Sequence, residues 1–128
     1  MLKVEVRHIS WDLNKSFNIS RGSKKTAETI EVKIEDGQFC GYGECVPYNR
    51  YKETIESVSN EIDSIKEKIE DCIVSTSNLS NFIKNGAARN AIDCALWDLN
   101  CKKNKSTIWE LMKIEKPLQL PGSYTVVL

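Results

Sequence analysis

The hydrophobic period of this chain changes once, from two residues to about three and a half. The change falls within residues 41–54, Gly-Tyr-Gly-Glu-Cys-Val-Pro-Tyr-Asn-Arg-Tyr-Lys-Glu-Thr. Upstream, apolar residues alternate as they must along a strand with one buried face. Downstream they recur at helical spacing. Strands first and helices afterwards predict an α+β domain, a meander followed by a helical bundle. The stretch between the two has two glycines, a proline and three tyrosines, and reads as a shaped loop where binding residues are often placed.

Leu2, Val4 and Val6 alternate with Lys3, Glu5 and Arg7, a half-buried strand. Ile9, Trp11 and Leu13 continue the alternation on the other parity, which predicts a bulge near residues 8–10. His8 is the one histidine, and a lone histidine in a strand is read as structural. Residues 14–25 are polar apart from Phe17 and Ile19 and read as a long connection with a mobile tip, a candidate lid. Within it Arg21 stands beside Gly22. A guanidinium there suits a bidentate grip on a carboxylate, and a solvated surface arginine is the plainer alternative.

Ile30, Val32 and Ile34 mark a second strand, and Asp36-Gly37 a type I′ hairpin turn. The third strand carries Gly41 and Gly43 on one face, leaving room for another backbone or a ligand. The result is a three-stranded antiparallel meander. Ile55, Val58, Ile62, Ile65 and Ile69, spaced 3, 4, 3 and 4, predict a single helix over 53–71. A second helix, from Ala87 to about Lys102, is small-sided at Ala87, Ala88, Ala91 and Ala95, so it can sit close against a neighbour. Arg89 and Asp93 are placed to pair on it, and Asp98 reads as a solvated or hydrogen-bonded carboxylate. Thr107 and Glu110 form a capping box before a short helix. Two prolines then predict an extended linker over residues 116–122, followed by the buried-strand pattern of residues 123–128.

Net charge is zero, so no basic face for nucleic acid is expected. No stretch is long and apolar enough for a membrane span, and the charged start is unlike a signal peptide. Five cysteines without a C-x-x-C pair, and a single histidine, give no zinc pattern and fit a reducing cytoplasm. Serine-nucleophile, phosphate-loop, zinc-protease and dinucleotide fingerprints are all missing from the sequence. A self-contained active site is therefore not expected.

Three motifs carry a resemblance. They are Phe17-x-Ile19-Ser20-Arg21-Gly22-x-Lys24, then Gly41-x-Gly43-Glu44-Cys45-x-Pro47-Tyr48-x-Arg50-Tyr51-x-Glu53-Thr54, and Ala88-x-x-Ala91-Ile92-Asp93-x-Ala95-Leu96-Trp97-Asp98-Leu99. Together they resemble the enolase superfamily, and within it the dipeptide epimerases of the muconate-lactonizing subgroup, of the L-Ala-D/L-Glu type. The resemblance implies that residues 1–115 form a capping domain, residues 116–122 a linker, and residues 123–128 the first strand of a barrel needing roughly 200 further residues. In that family two lysines move the proton α to a carboxylate, and Mg²⁺ on three acidic residues stabilises the enediolate. Those positions are expected beyond residue 128, so catalytic and metal residues are expected to be none in this chain, and the chain alone to be inactive. The implied substrate is a dipeptide. Arg21 matches the arginine that grips its acidic side chain, Val46 and Tyr51 its pocket wall, and Thr125 a substrate contact on the barrel. The missing barrel is the implied partner, with a homo-oligomer open. Lys52 departs from the family's glycine. Two other readings remain open: the cap of another subgroup enzyme, such as a cycloisomerase or an o-succinylbenzoate synthase, and a stand-alone binding module that self-associates through its uncovered face.

Overall fold

The computed structural model describes residues 1–19, 22–119 and 121–122. Three antiparallel strands come first: β1 (Lys3–Ile19), β2 (Gly22–Asp36) and β3 (Phe39–Cys45), in the spatial order β1-β2-β3. Helices α1 (Ile55–Asp63), α2 (Lys66–Glu70), α3 (Ala87–Asn104) and α4 (Ile108–Met112) follow. This is the meander-then-helices α+β architecture that the change of period requires.

The sheet's inner face carries Val4, Ile30, Val32, Ile34 and Cys45, all buried. Against it lie Val58, Ile62 and Ile69 of α1 and α2, and Ala88, Ala91, Ile92, Ala95, Leu96 and Leu99 of α3. The closest approach is between β3 and α3, where glycine meets alanine. A Cβ on Gly41 would stand 2.7 Å from Leu99 Cβ, and one on Gly43 would stand 2.8 Å from the Ala95 nitrogen. The bare face expected at these glycines is thus filled by a helix backbone, not by a ligand.

β3 is an edge strand, and unpaired backbone groups on an edge invite pairing with another chain. Here α3 occupies them with side chains. The Tyr42 N–H donates to Asp98 Oδ2 at 2.8 Å, Lys102 Nζ donates to the Cys40 carbonyl at 2.9 Å, and Asn90 Nδ2 donates to the Glu44 carbonyl at 3.4 Å. Asp98 also accepts from Lys102 at 2.7 Å, which makes it a hydrogen-bonded structural carboxylate.

Several expectations are corrected. Residues 14–19 and 22–25 belong to the β1–β2 ladder, not to a long connection. The register runs unbroken through His8–Ser10, and the irregularity falls later, where residues 13–16 stand opposite residue 25. The parity switch in β1 has another cause. Near the hairpin end the inner face holds the polar cluster His8, Ser10 and Glu28, with Glu28 accepting from both at 2.6 Å, while Ile9 and Trp11 share the outer face with Thr29. Trp11 Nε1 donates there to Thr29 Oγ1 and Glu44 Oε1. The hairpin turn lies at Gly37-Gln38, between the paired residues Asp36 and Phe39, with positive φ at Gly37 (59°) and not at Gln38. That is the requirement of a II′ turn, not I′. The expected single helix over 53–71 is broken at Ser64–Ile65. Ser64 Oγ donates to the Glu61 carbonyl at 2.7 Å and the Ile65 N–H turns to the Ile62 carbonyl, a tightened turn that keeps the isoleucine stripe on one face. Arg89 bonds Asn85 and makes no ion pair with Asp93. The capping box of α4 forms as expected, with the Thr107 N–H donating to Glu110 at 2.8 Å. Among the described residues no helix is long and apolar enough to cross a membrane.

Candidate functional site

Where β3 ends at Cys45, the chain leaves the sheet through Val46 and Pro47 and curls into a short 3₁₀ turn, Asn49–Tyr51. The Tyr51 N–H donates to the Tyr48 carbonyl at 2.8 Å and the Lys52 N–H to the Asn49 carbonyl at 3.0 Å. Lys52 then takes a left-handed conformation, φ 61° and ψ 28°. That conformation is costly for a residue with a Cβ, which gives a physical reason for glycine at this place. Glu53 follows, and Thr54 caps α1, its side chain accepting from the Ser57 N–H at 3.0 Å.

This turn and the start of α3 enclose an open cavity of about 470 Å³, with Val46, Tyr48, Tyr51 and Glu53 on its walls. Val46 is 56% exposed and Tyr51 72%, unusual for large apolar groups on a fixed turn. The Tyr48 and Tyr51 rings lie 6.0 Å apart, tilted by 53°. The wall is therefore apolar and aromatic, with hydroxyl tips. The structure brings the sequence-chosen Val46 and Tyr51 together in one cavity. Arg21 and Thr125 lie outside the described residues.

Sequence reasoning gave no role to Glu53. Its Oε1 accepts the Ala87 N–H, the first of α3, at 2.8 Å, and its Oε2 faces the Tyr48 N–H at 3.4 Å. A signal was available: α3 is preceded by Gly86, which has no side chain to cap the helix, so its free donors need an acceptor from elsewhere.

Cys45 also lines this cavity, but it is not a nucleophile. It is 5% exposed, and burial, with the charges of Glu53 and Glu44 behind it, pushes its thiol up to about 11. The native state holds this proton more tightly than the unfolded chain. Its contribution to stability is thus present below the ordinary thiol value of 9.0 and lost as pH climbs towards about 11. Iodoacetamide at pH 8 is expected to modify the exposed Cys72 at least about tenfold faster than Cys45, read by peptide mass spectrometry. Equal rates would mean that the inner face of β3 is open.

Among the described residues no three histidine, cysteine, aspartate or glutamate side chains converge on a point that could hold a metal ion. The described part of the chain does not fit a Mg²⁺ site.

The sequence profile of the family described as "Mandelate racemase / muconate lactonizing enzyme, N-terminal domain" matches residues 1–113. The chain is 37% identical over 128 residues to the L-Ala-D/L-Glu epimerase of Escherichia coli K12, covering all of this chain and 40% of that protein. An enolase family member from Agrobacterium tumefaciens, solved with sodium and L-Ala-L-Glu, superposes with a TM-score of 0.81 at 38% identity, over 87% of this chain and 34% of the other. A dipeptide epimerase from Enterococcus faecalis V583, complexed with Mg and L-Leu-L-Tyr, gives a TM-score of 0.69 at 26% identity, over 86% and 34%. The chain thus spans well under half the length of these relatives.

Proposed function

This chain belongs to the mandelate racemase / muconate lactonizing enzyme N-terminal domain family of the enolase superfamily, and we propose that it is the capping domain of an epimerase acting on Ala-Glu-like dipeptides. The observation that supports this reading best is the likeness to an epimerase of that specificity along the whole chain. The Val46–Tyr51 wall, apolar and exposed among the described residues, is the second support.

The proposed division is residues 1–115 as cap, residues 116–122 as linker, and residues 123–128 as the first strand of a barrel. The reaction is a 1,1-proton transfer at the carbon α to a carboxylate. A base removes the proton from one face, and its return from the other face inverts the centre. The bases, and the ligands for Mg²⁺, would be supplied by the barrel, so the cap alone is inactive. What this chain contributes is selection and enclosure. Arg21 would hold the acidic side chain of the substrate. Val46 and Tyr51, with Tyr48, would cover the pocket and exclude water, which strengthens every charge interaction inside it. Thr125 would touch substrate from the barrel side. All five cysteines are free thiols, which supports a reducing cytoplasm as the working compartment.

The test compares the 128-residue chain with the complete polypeptide that contains it. Both are incubated with Mg²⁺ and L-Ala-L-Glu in D₂O and followed by proton NMR. The complete protein is expected to exchange the glutamyl α-proton and to form L-Ala-D-Glu, and the chain alone to do neither. A complete protein that leaves acidic dipeptides unchanged while cyclising or dehydrating other carboxylates would overturn the dipeptide reading.

A further inference from the structure

We propose that Glu53 is a positioning residue that locks the Val46–Tyr51 wall to the N-terminus of α3, and that Gly86 is glycine in order to admit its carboxylate. This rests on the reading of that wall as substrate-facing, and deepens it.

Two independent observations meet at this point. The first is the hydrogen bonding. Among the described residues the backbone after β3 has no strand partner, and the backbone bonds that close residues 48–52 are those of the 3₁₀ turn itself. The turn thus needs an anchor to hold its height over the cavity. Glu53 supplies one, with Oε1 on the Ala87 N–H at 2.8 Å and Oε2 near the Tyr48 N–H at 3.4 Å. A carboxylate at the N-terminus of an 18-residue helix is favoured further by the unpaired N–H groups there. The second is steric. Among the described residues, and leaving aside its two chain neighbours, Glu53 Oε1 is the heavy atom that a Cβ on Gly86 would meet, at 2.8 Å. The room that glycine leaves is therefore where this carboxylate sits. One side chain ties together the wall, the entry to α1 through its neighbour Thr54, and the first residue of α3. Since α3 is itself pressed onto β3 at Gly41 and Gly43, the wall is tied through Glu53 to that close helix–strand contact.

Hydrogen–deuterium exchange, read at the Tyr48, Tyr51 and Ala87 amides of the 128-residue chain, tests this. Glu53→Ala is expected to speed exchange at Ala87 and at the turn by about tenfold to a hundredfold. Gly86→Ala should do the same by displacing the carboxylate, and the double variant should be no worse than either single one. Glu53→Gln keeps one acceptor oxygen for two donors, so it should restore protection at Ala87, the shorter bond, and leave the Tyr48 amide as exposed to exchange as in Glu53→Ala. Thr54→Ala, which removes only the α1 cap, should leave Ala87 protected. In the complete polypeptide, Glu53→Ala should raise KM for the acidic dipeptide more than it lowers kcat. A merely destabilised protein would instead lose active fraction at constant KM. Unchanged exchange at residues 48–51 in Glu53→Ala, or fully additive single variants, would overturn the proposal. Lost protection with an unchanged KM would leave the lock standing and remove the wall from the substrate site, which separates the two failures.

Discussion

Gly43→Ala is expected to destabilise this chain by about 3 kcal/mol or more, one of the largest effects a single methyl group can have here. The methyl would be driven into the Ala91 carbonyl of α3 and would stand 2.8 Å from the Ala95 nitrogen. These are backbone atoms of an 18-residue helix, which have no rotamer to change. To make room, α3 must lift from β3, and it carries Ile92, Leu96 and Leu99 out of the core as it does so. It also pulls Asn90, Asp98 and Lys102 away from the edge of β3, uncovering polar backbone groups. Gly37→Ala is the control. It has nothing within 4 Å, so its cost of about 1 kcal/mol comes only from the φ of 59°. Urea unfolding of both variants decides the point. If Gly43→Ala proved milder than Gly37→Ala, the helix could not be seated on the strand as described.

That seat was legible only in part. Glycine at alternate strand positions and alanine at helical spacing each announce room for a close neighbour, but the glycine face stayed open to a backbone or a ligand, and only the structure brings the two together. The inner face of β2 was equally plain, because Ile30, Val32 and Ile34 are buried together. The β1–β2 ladder beyond Asp12 was not legible. The inner face there carries the polar cluster His8, Ser10 and Glu28, so that stretch shows no apolar alternation and is held by backbone pairing, which leaves no compositional trace. The break at Ser64–Ile65 escaped for a related reason. A tightened turn preserves the stripe of isoleucines, so the periodicity passes through it unchanged.

The site divides in the same way. Val46 and Tyr51 stand out in sequence as large groups on a loop next to Pro47, and the structure places them on one cavity. Glu53 looks like one more charged residue among many. Its role depends on Gly86, 33 positions later, where a Cβ would stand 2.8 Å from its Oε1. Such a role is a property of packing, and periodicity carries no record of it. Lys52 sits between: its departure from the family's glycine is visible in sequence, but the left-handed backbone that gives the departure a cost appears only in the structure.

Arg21→Ala in the complete polypeptide is expected to weaken use of an acidic dipeptide by about 2 to 5 kcal/mol, from roughly thirtyfold to several thousandfold in kcat/KM. Arg21 lies outside the described residues; the nearest described residues on either side, Ile19 and Gly22, are partners in the β1–β2 ladder. A guanidinium presents two parallel N–H donors to a carboxylate, and the pair gains most where water is excluded. On the proposed role, removing it would leave the substrate's charge buried and unpaired, which accounts for the upper end of the range. The effect should therefore be selective. L-Ala-L-Glu should lose most, and an uncharged dipeptide such as L-Ala-L-Leu should change by less than about threefold, since it never used the fork. Arg21→Lys should recover only part of the loss, because an ammonium is a point charge that cannot match both oxygens at once. Equal loss for acidic and neutral dipeptides would mean that Arg21 maintains the hairpin instead of reading the substrate, and the specificity role would have to pass to the barrel side of the pocket.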